Sequence, residues 1–188
     1  MKKRQRIKKI CMVSVILIVI IWFMIYLTRF EVKNNNLQAE AGTSIEYILN
    51  ENNLHDYISV SSLLQNRLTI DATGVNTNRA GEYTIKIVNN TTGETLKLPL
   101  VIIDTQDPVV EWYDYVPEVP VGVSFSADIF VKEAKDTAGI GKIYFYTEED
   151  GRETSFTPEV PGEYTVSVVV QDINNRKVTK DVSFVAVQ

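Results

Sequence analysis

The chain has 188 residues, a formal net charge of -5, 45% hydrophobic residues, one cysteine and one histidine. That length suits one large domain or two small ones, and an acidic balance speaks against nucleic acid, whose phosphates it repels. A single cysteine and a single histidine exclude a His/Cys zinc cluster and leave one candidate base for a nucleophilic triad.

The charge is unevenly spread. Lys2, Lys3, Arg4, Arg6, Lys8 and Lys9 precede the first apolar run, and all 24 carboxylates follow it beside 19 - 6 = 13 basic residues. The part beyond the run therefore carries 13 - 24 = -11. The run itself, Ile10 to Leu27, reads ICMVSVILIVIIWFMIYL without a charge, and Cys11 lies inside it. A helix of that length rises about 27 Å, close to the roughly 30 Å hydrocarbon core of a bilayer. The sequence thus predicts a basic cytoplasmic tail over 1–9 and a transmembrane helix over 10–28, with the lipid bilayer as partner. Trp22 and Tyr26 stand towards its outer end, where amphipathic rings favour the interface. The basic cluster holds the amino terminus in the cytoplasm, so the expected topology is single-pass with the carboxyl terminus outside. A cleaved signal peptide is the alternative, but its small-residue pattern, Ala39-Glu40-Ala41, lies well beyond the run.

Residues 29–40 are polar, with Asn34-Asn35-Asn36, and predict a stalk. The segment Gly81-Glu82-Tyr83-Thr84-Ile85 returns as Gly162-Glu163-Tyr164-Thr165-Val166, an offset of 162 - 81 = 81. Ala41-Gly42-Thr43-Ser44-Ile45 and Val121-Gly122-Val123-Ser124-Phe125 match at 121 - 41 = 80. Two anchors in nearly equal register predict a duplicated β domain, over 41–105 and 106–188. In the first copy Leu68 and Ile70, then Tyr83, Ile85 and Ile87, then Leu96, Leu98, Leu100 and Ile102 alternate with polar neighbours as half-buried strands do. Asn89-Asn90-Thr91-Thr92-Gly93 is the turn between the last two, and Pro99 calls for an edge or a bulge. The one candidate helical piece is Ser59 to Gln65. In the second copy Ser126 to Lys132, Ile140 to Thr147, Glu163 to Gln171 and Lys177 to Val187 read as strands, with Asp172-Ile173-Asn174-Asn175 as the turn. Lys180 interrupts the apolar face of the last one. Short strands with regular turn signals predict an all-β fold of two tandem antiparallel sandwiches. The Gly-Glu-Tyr run fits a tyrosine corner, whose hydroxyl bonds nearby backbone.

Asn76-Thr77-Asn78-Arg79-Ala80-Gly81-Glu82-Tyr83-Thr84 resembles the recurrent Asx-Thr-x-x-Pro-Gly-x-Tyr-Thr segment of bacterial immunoglobulin-like domains of surface proteins, with Ala80 in place of proline. Pro161-Gly162-Glu163-Tyr164-Thr165 keeps the proline, and Asp136-Thr137-Ala138-Gly139-Ile140 and Asp172-Ile173-Asn174-Asn175 resemble family turns, with Asn174 where glycine is usual. The resemblance covers about residues 37–188 and implies tandem immunoglobulin-like sandwiches. It implies no single activity, because such domains serve as spacers, adhesins and accessory modules.

His55 sits in a polar segment, and a solvated position is expected for it. Glu148-Glu149-Asp150-Gly151 reads as an acidic hairpin tip, not a hydrolase pair. No catalytic residue and no organic cofactor are expected. Asp104 and Asp107, between the copies, and Asp136 and Asp172, in turns of the second, are candidates for holding calcium. The competing reading is a solvated linker in which Pro108 fixes the path of the chain. Glu111-Trp112-Tyr113-Asp114-Tyr115 is rich in rings, so Trp112, Tyr113 and Tyr115 are candidates for a protein or carbohydrate ligand. Equally, alternate rings enter the core. The expected function is a membrane-anchored, cell-surface, non-enzymatic binding module or spacer near the membrane. The alternative is a structural subunit of an envelope assembly of the secretion or division type.

Overall fold

The structure, a computed structural model, describes residues 2–27, 29–61, 64–147 and 151–188. An amino-terminal helix, α1 (Lys2–Leu27), contains the apolar run. Its side chains are described for 12–24, and all are exposed. Among the described residues no helix is long and apolar enough to cross a membrane. The remainder is mostly β-structure, and the chain divides into two compact units, the first Met1–Gln38, Ile45–Val75 and Glu82–Val101, the second Ala39–Ser44, Asn76–Gly81 and Ile102–Gln188.

In the first unit β1 (Phe30–Val32) pairs antiparallel with β3 (Ile58–Val60). The region expected as a stalk is therefore folded: Phe30 and Leu37 are buried, and β2 (Leu37–Glu40) joins a sheet. That sheet runs β2-β6-β5-β4, with β4 at Leu68–Asp71, β5 at Gly81–Asn89 and β6 at Thr95–Ile103. Alternation was a sound guide here, since Ile85 and Ile87 of β5 and Leu98 and Leu100 of β6 are buried. Pro99 stands in β6, an inner strand and not an edge; β2 has only 4 residues against 9 in β6, which leaves part of β6 open along that side.

Two short helices depart from the expected pattern, α2 (Ile45–Ile48) and α3 (Glu51–Tyr57). Helices this short do not stand on propensity and depend on packing. Ile48 and Leu54 supply it, both buried. The expected helix at Ser59–Gln65 is absent at both ends: Ser59 and Val60 are in β3, and Gln65 opens a single 3-10 turn. Residues 62 and 63 lie outside the described residues, as does the acidic tip 148–150.

In the second unit a four-stranded sheet runs β11-β13-β14-β8, with β8 at Glu118–Pro120, β11 at Ile140–Tyr146, β13 at Gly162–Asp172 and β14 at Lys177–Val187. Against it stand the pairs β7 (Val109–Trp112) with β10 (Val131–Lys135), and β9 (Phe125–Ser126) with β12 (Ser155–Phe156). Phe130, Phe145, Val168 and Phe184 are buried between them, with Trp112, Phe125 and Phe156 packed alongside. The expected strand over Ser126–Lys132 is interrupted by a 3-10 turn at Ala127–Phe130, which turns Ala127 and Phe130 inward.

The sandwich is not wholly antiparallel. β14 pairs parallel with β8, Val185 opposite Glu118. Pro117 and Pro120 bracket β8, and a proline-bracketed segment with few amides to give suits the edge it occupies. Val121 N donates to Val187 O at 2.8 Å, as Ala41 N donates to Ile103 O at 2.7 Å. The donors stand at the 80-residue offset of the sequence, and the acceptors 187 - 103 = 84 residues apart. Gly81 and Gly162 also share a backbone angle, φ 157° and 151°.

The Tyr164 hydroxyl donates to Val160 O at 2.9 Å, the bond of a tyrosine corner, while its ring stacks on Phe184 at 5.0 Å. Phe184 is fully buried and also meets Phe125 and Phe156 edge-on. Phe184→Ala is expected to cost about 3–5 kcal/mol, a large share of the stability of a domain this small. Tyr164→Phe keeps the stack and loses one hydrogen bond, worth about 1 kcal/mol. Chemical denaturation of the two variants checks the contrast; equal losses contradict it.

Candidate functional site

Three carboxylates converge in the second unit. Ligand oxygens of Asp104, Asp136 and Asp172 all lie within 4.8 Å of one another. They arrive on three separate segments. Asp104 follows the end of β6, Asp136 follows β10, and Asp172 closes β13.

Local turn chemistry fixes each one. Asp136 Oδ1 accepts from the amides of Ala138 at 2.7 Å and Gly139 at 3.2 Å. Asp172 Oδ1 accepts from the amides of Asn174 at 2.7 Å and Arg176 at 2.9 Å. Asp104 Oδ1 accepts from Gln106 N at 3.3 Å, and its Oδ2 accepts from Asn174 Nδ2 at 2.6 Å. The Asn174 amide is oriented by its other contacts, since its Oδ1 accepts from Ala80 N and its Nδ2 also donates to Asn78 O. Two glycines allow the close approach of these segments. A Cβ on Gly141 would lie 2.7 Å from Asp172 O, and one on Gly42 (φ +83°) would lie 2.2 Å from Thr137 O.

The fourth sequence candidate, Asp107, stands apart from this group. Its carboxylate receives Arg176, Nε at 2.9 Å and Nη2 at 2.8 Å. Arg176 Nη1 reaches the backbone oxygen of Asp104 at 3.3 Å, not its carboxylate. The three clustered carboxylates have no ion-pair partner among the described residues.

The aromatic segment divides. Trp112 is in β7, opposite Val131, and packs against the core. Lys180 sits over its ring at 5.5 Å, which explains the lysine that interrupts the apolar face of β14. Tyr113 and Tyr115 are 42% and 56% exposed, with ring centroids 5.1 Å apart. Beside them Lys132 donates to Glu111, and this bond raises the lysine pKa above its ordinary value.

His55, the remaining candidate for chemistry, is in α3 and exposed, the solvated position its polar segment predicts. It lines a cavity of about 210 Å³ with apolar neighbours including Leu54, Ile58, Leu68 and Ile70.

No protein-family model matches the chain, and no curated protein matches it. Among solved structures it is similar to the fibronectin(III)-like modules of Clostridium thermocellum CbhA, at 14% identity over 84% of this chain and 92% of that one, with a TM-score of 0.33. It is also similar to human mucin-like protocadherin EC1-2, at 13% identity over 85% of this chain and 97% of that one, with a TM-score of 0.36. Scores this low transfer no role to this chain, whose architecture rests on its own strand pairing.

The tyrosines and the tryptophan should separate cleanly on mutation. Tyr113→Ser with Tyr115→Ser removes exposed rings and is expected to leave unfolding free energy within about 0.5 kcal/mol of the parent. Trp112→Ala opens the core edge and frees Lys180, for a loss of about 3 kcal/mol, the low end for a tryptophan because the ring is only partly buried. Thermal and denaturant unfolding measure both; a large loss in the tyrosine pair would place those rings in the core instead.

Proposed function

We propose that the chain is a membrane-anchored, cell-surface protein whose immunoglobulin-like units act without enzymatic chemistry, as a binding module close to the membrane. The observation that carries this reading is α1. Val13, Ile16, Ile18, Ile20, Trp22 and Phe23 are each half or more exposed, so apolar side chains face outward around the whole helix. A helix apolar on every side needs an apolar surrounding. The described stretch, 12–24, is shorter than a span, but the charge-free sequence from Ile10 to Leu27 extends it to about 27 Å. The six basic residues ahead of it favour an inside amino terminus.

Binding is favoured over a passive spacer by the exposed Tyr113–Tyr115 pair with Val116, 56% exposed, next to it. Aromatic rings clustered with an aliphatic neighbour suit a protein or carbohydrate ligand. The -11 charge beyond the span argues against nucleic acid as that ligand.

Full-length protein carrying a tag at each end, expressed in bacterial cells with the wall removed, tests the topology. Externally added protease is expected to remove the carboxyl-terminal tag and spare the amino-terminal one, with the protein resisting extraction from membranes by alkali. Ile18→Arg with Val19→Arg introduces about 2.5–3.5 kcal/mol per charge at the helix centre and should lower the membrane fraction. A protected carboxyl-terminal tag, or a fully soluble parent, would defeat the proposal.

A further inference from the structure

We infer that Asp104, Asp136 and Asp172 form a divalent-cation site of the second unit, and that calcium is its ion. Clustered acids alone do not make a site. What singles this group out is Asp172: it is 2% exposed, and its Oδ2 is buried with no hydrogen-bond partner. A carboxylate oxygen held away from water with neither a donor nor a cation is costly.

The repeat supplies an internal comparison. Asn89 occupies the same place in the first unit. Its amide N–H is bonded to Glu94 O and that of Asp172 to Arg176 O, so each residue closes its hairpin. Its Oδ1 accepts from Thr91 N at 2.9 Å and Thr92 N at 3.4 Å, just as Asp172 Oδ1 accepts from two turn amides. Both residues are buried, and in each the second side-chain atom, Asn89 Nδ2 or Asp172 Oδ2, has no hydrogen-bond partner; only in Asp172 is that atom part of a charged group. The turn therefore needs one side-chain oxygen, which a neutral asparagine provides. The negative charge of Asp172 is surplus to that role, and it is placed against two further carboxylates.

The spacing fits the ion. Calcium–oxygen distances of about 2.3–2.6 Å put oxygens on opposite sides of an ion about 4.6–5.2 Å apart. Oxygens no more than 4.8 Å apart can reach one such ion together. Magnesium demands near-ideal octahedral geometry at about 2.0–2.1 Å, whereas calcium accepts irregular oxygen sets such as carboxylates from three separate segments. Three carboxylates leave places for water, as in the weaker extracellular calcium modules with Kd of about 10⁻⁴–10⁻³ M. Bound there, the ion ties the segment after β6 to the Asp136 loop and the Asp172 turn.

The test uses the full-length chain in detergent micelles, stripped of metal with chelator. Melting is followed by near-ultraviolet circular dichroism, and calcium binding by calorimetry. In about 10 mM calcium the parent is expected to melt about 5 °C or more above its metal-free value, and magnesium should give a smaller shift. Asp172→Asn and Asp136→Asn should each lose most of the calcium shift, whereas Asp107→Asn keeps it. Without metal, Asp172→Asn should melt no lower than the parent, because Asn89 shows that the turn tolerates the amide. With calcium the order reverses, a crossing that a purely structural role cannot produce. An unshifted parent with no binding heat overturns the proposal, and so does a full calcium shift retained in both cluster variants. Should Asp172→Asn fail to fold, Asp136→Asn decides alone.

Discussion

In each unit a buried side-chain oxygen closes the last hairpin, Asn89 in the first and Asp172 in the second, and the strands on either side depend on that closure. Neither unit has a disulfide to fall back on, since the sequence has a single cysteine, Cys11. What remains is packing plus turn chemistry. The hairpin of β13 and β14 carries Val168 and Phe184 into the aromatic core, in a register that pairs Gln171 with Lys177 next to the turn. A slip of one residue would send those side chains to the opposite face. The oxygen that accepts the turn amides thus sets which residues are inside.

The hairpins were legible because alternation and turn residues point the same way: β5 with β6, and β13 with β14, lie where apolar residues at every second position put them. The tyrosine corner at Tyr164 followed from the same repeat. Other features left no local trace. α2 and α3 are 4 and 7 residues long, too short for a helical period to emerge. The parallel pairing of β8 with β14 joins three residues to a strand more than sixty positions away, and nothing in Glu118-Val119-Pro120 announces that direction. The apparent stalk misled because Phe30, between Arg29 and Glu31, and Leu37, after three asparagines, are apolar residues in a polar segment, yet each is buried.

The acidic group shows the same division between what is local and what is not. Each aspartate was recognisable as a turn or linker residue, and turn carboxylates are ordinarily solvated. Their convergence depends on long-range packing, namely Gly141 against the Asp172 carbonyl and Gly42 against Thr137. Asp107 looked equivalent to Asp104 in sequence, three residues away, but the structure gives it Arg176 instead. Sequence spacing could nominate four carboxylates; only the fold separates the paired one from the three without a cation.

The two hairpins share one backbone plan and differ in charge. Both keep the glycine at the start of the penultimate strand and the oxygen at its end, which are the positions that shape the backbone. They differ in charge at that oxygen, neutral in the first unit and anionic in the second. A buried charge at a turn that a neutral oxygen can close gains nothing for folding by itself. Its value lies in what the charge can attract, so the second unit is where a role beyond structural support is best sought. The exposed tyrosine pair lies in that unit too, on the segment that crosses from β7 to β8, so both candidate surfaces belong to the unit whose hairpin carries a carboxylate.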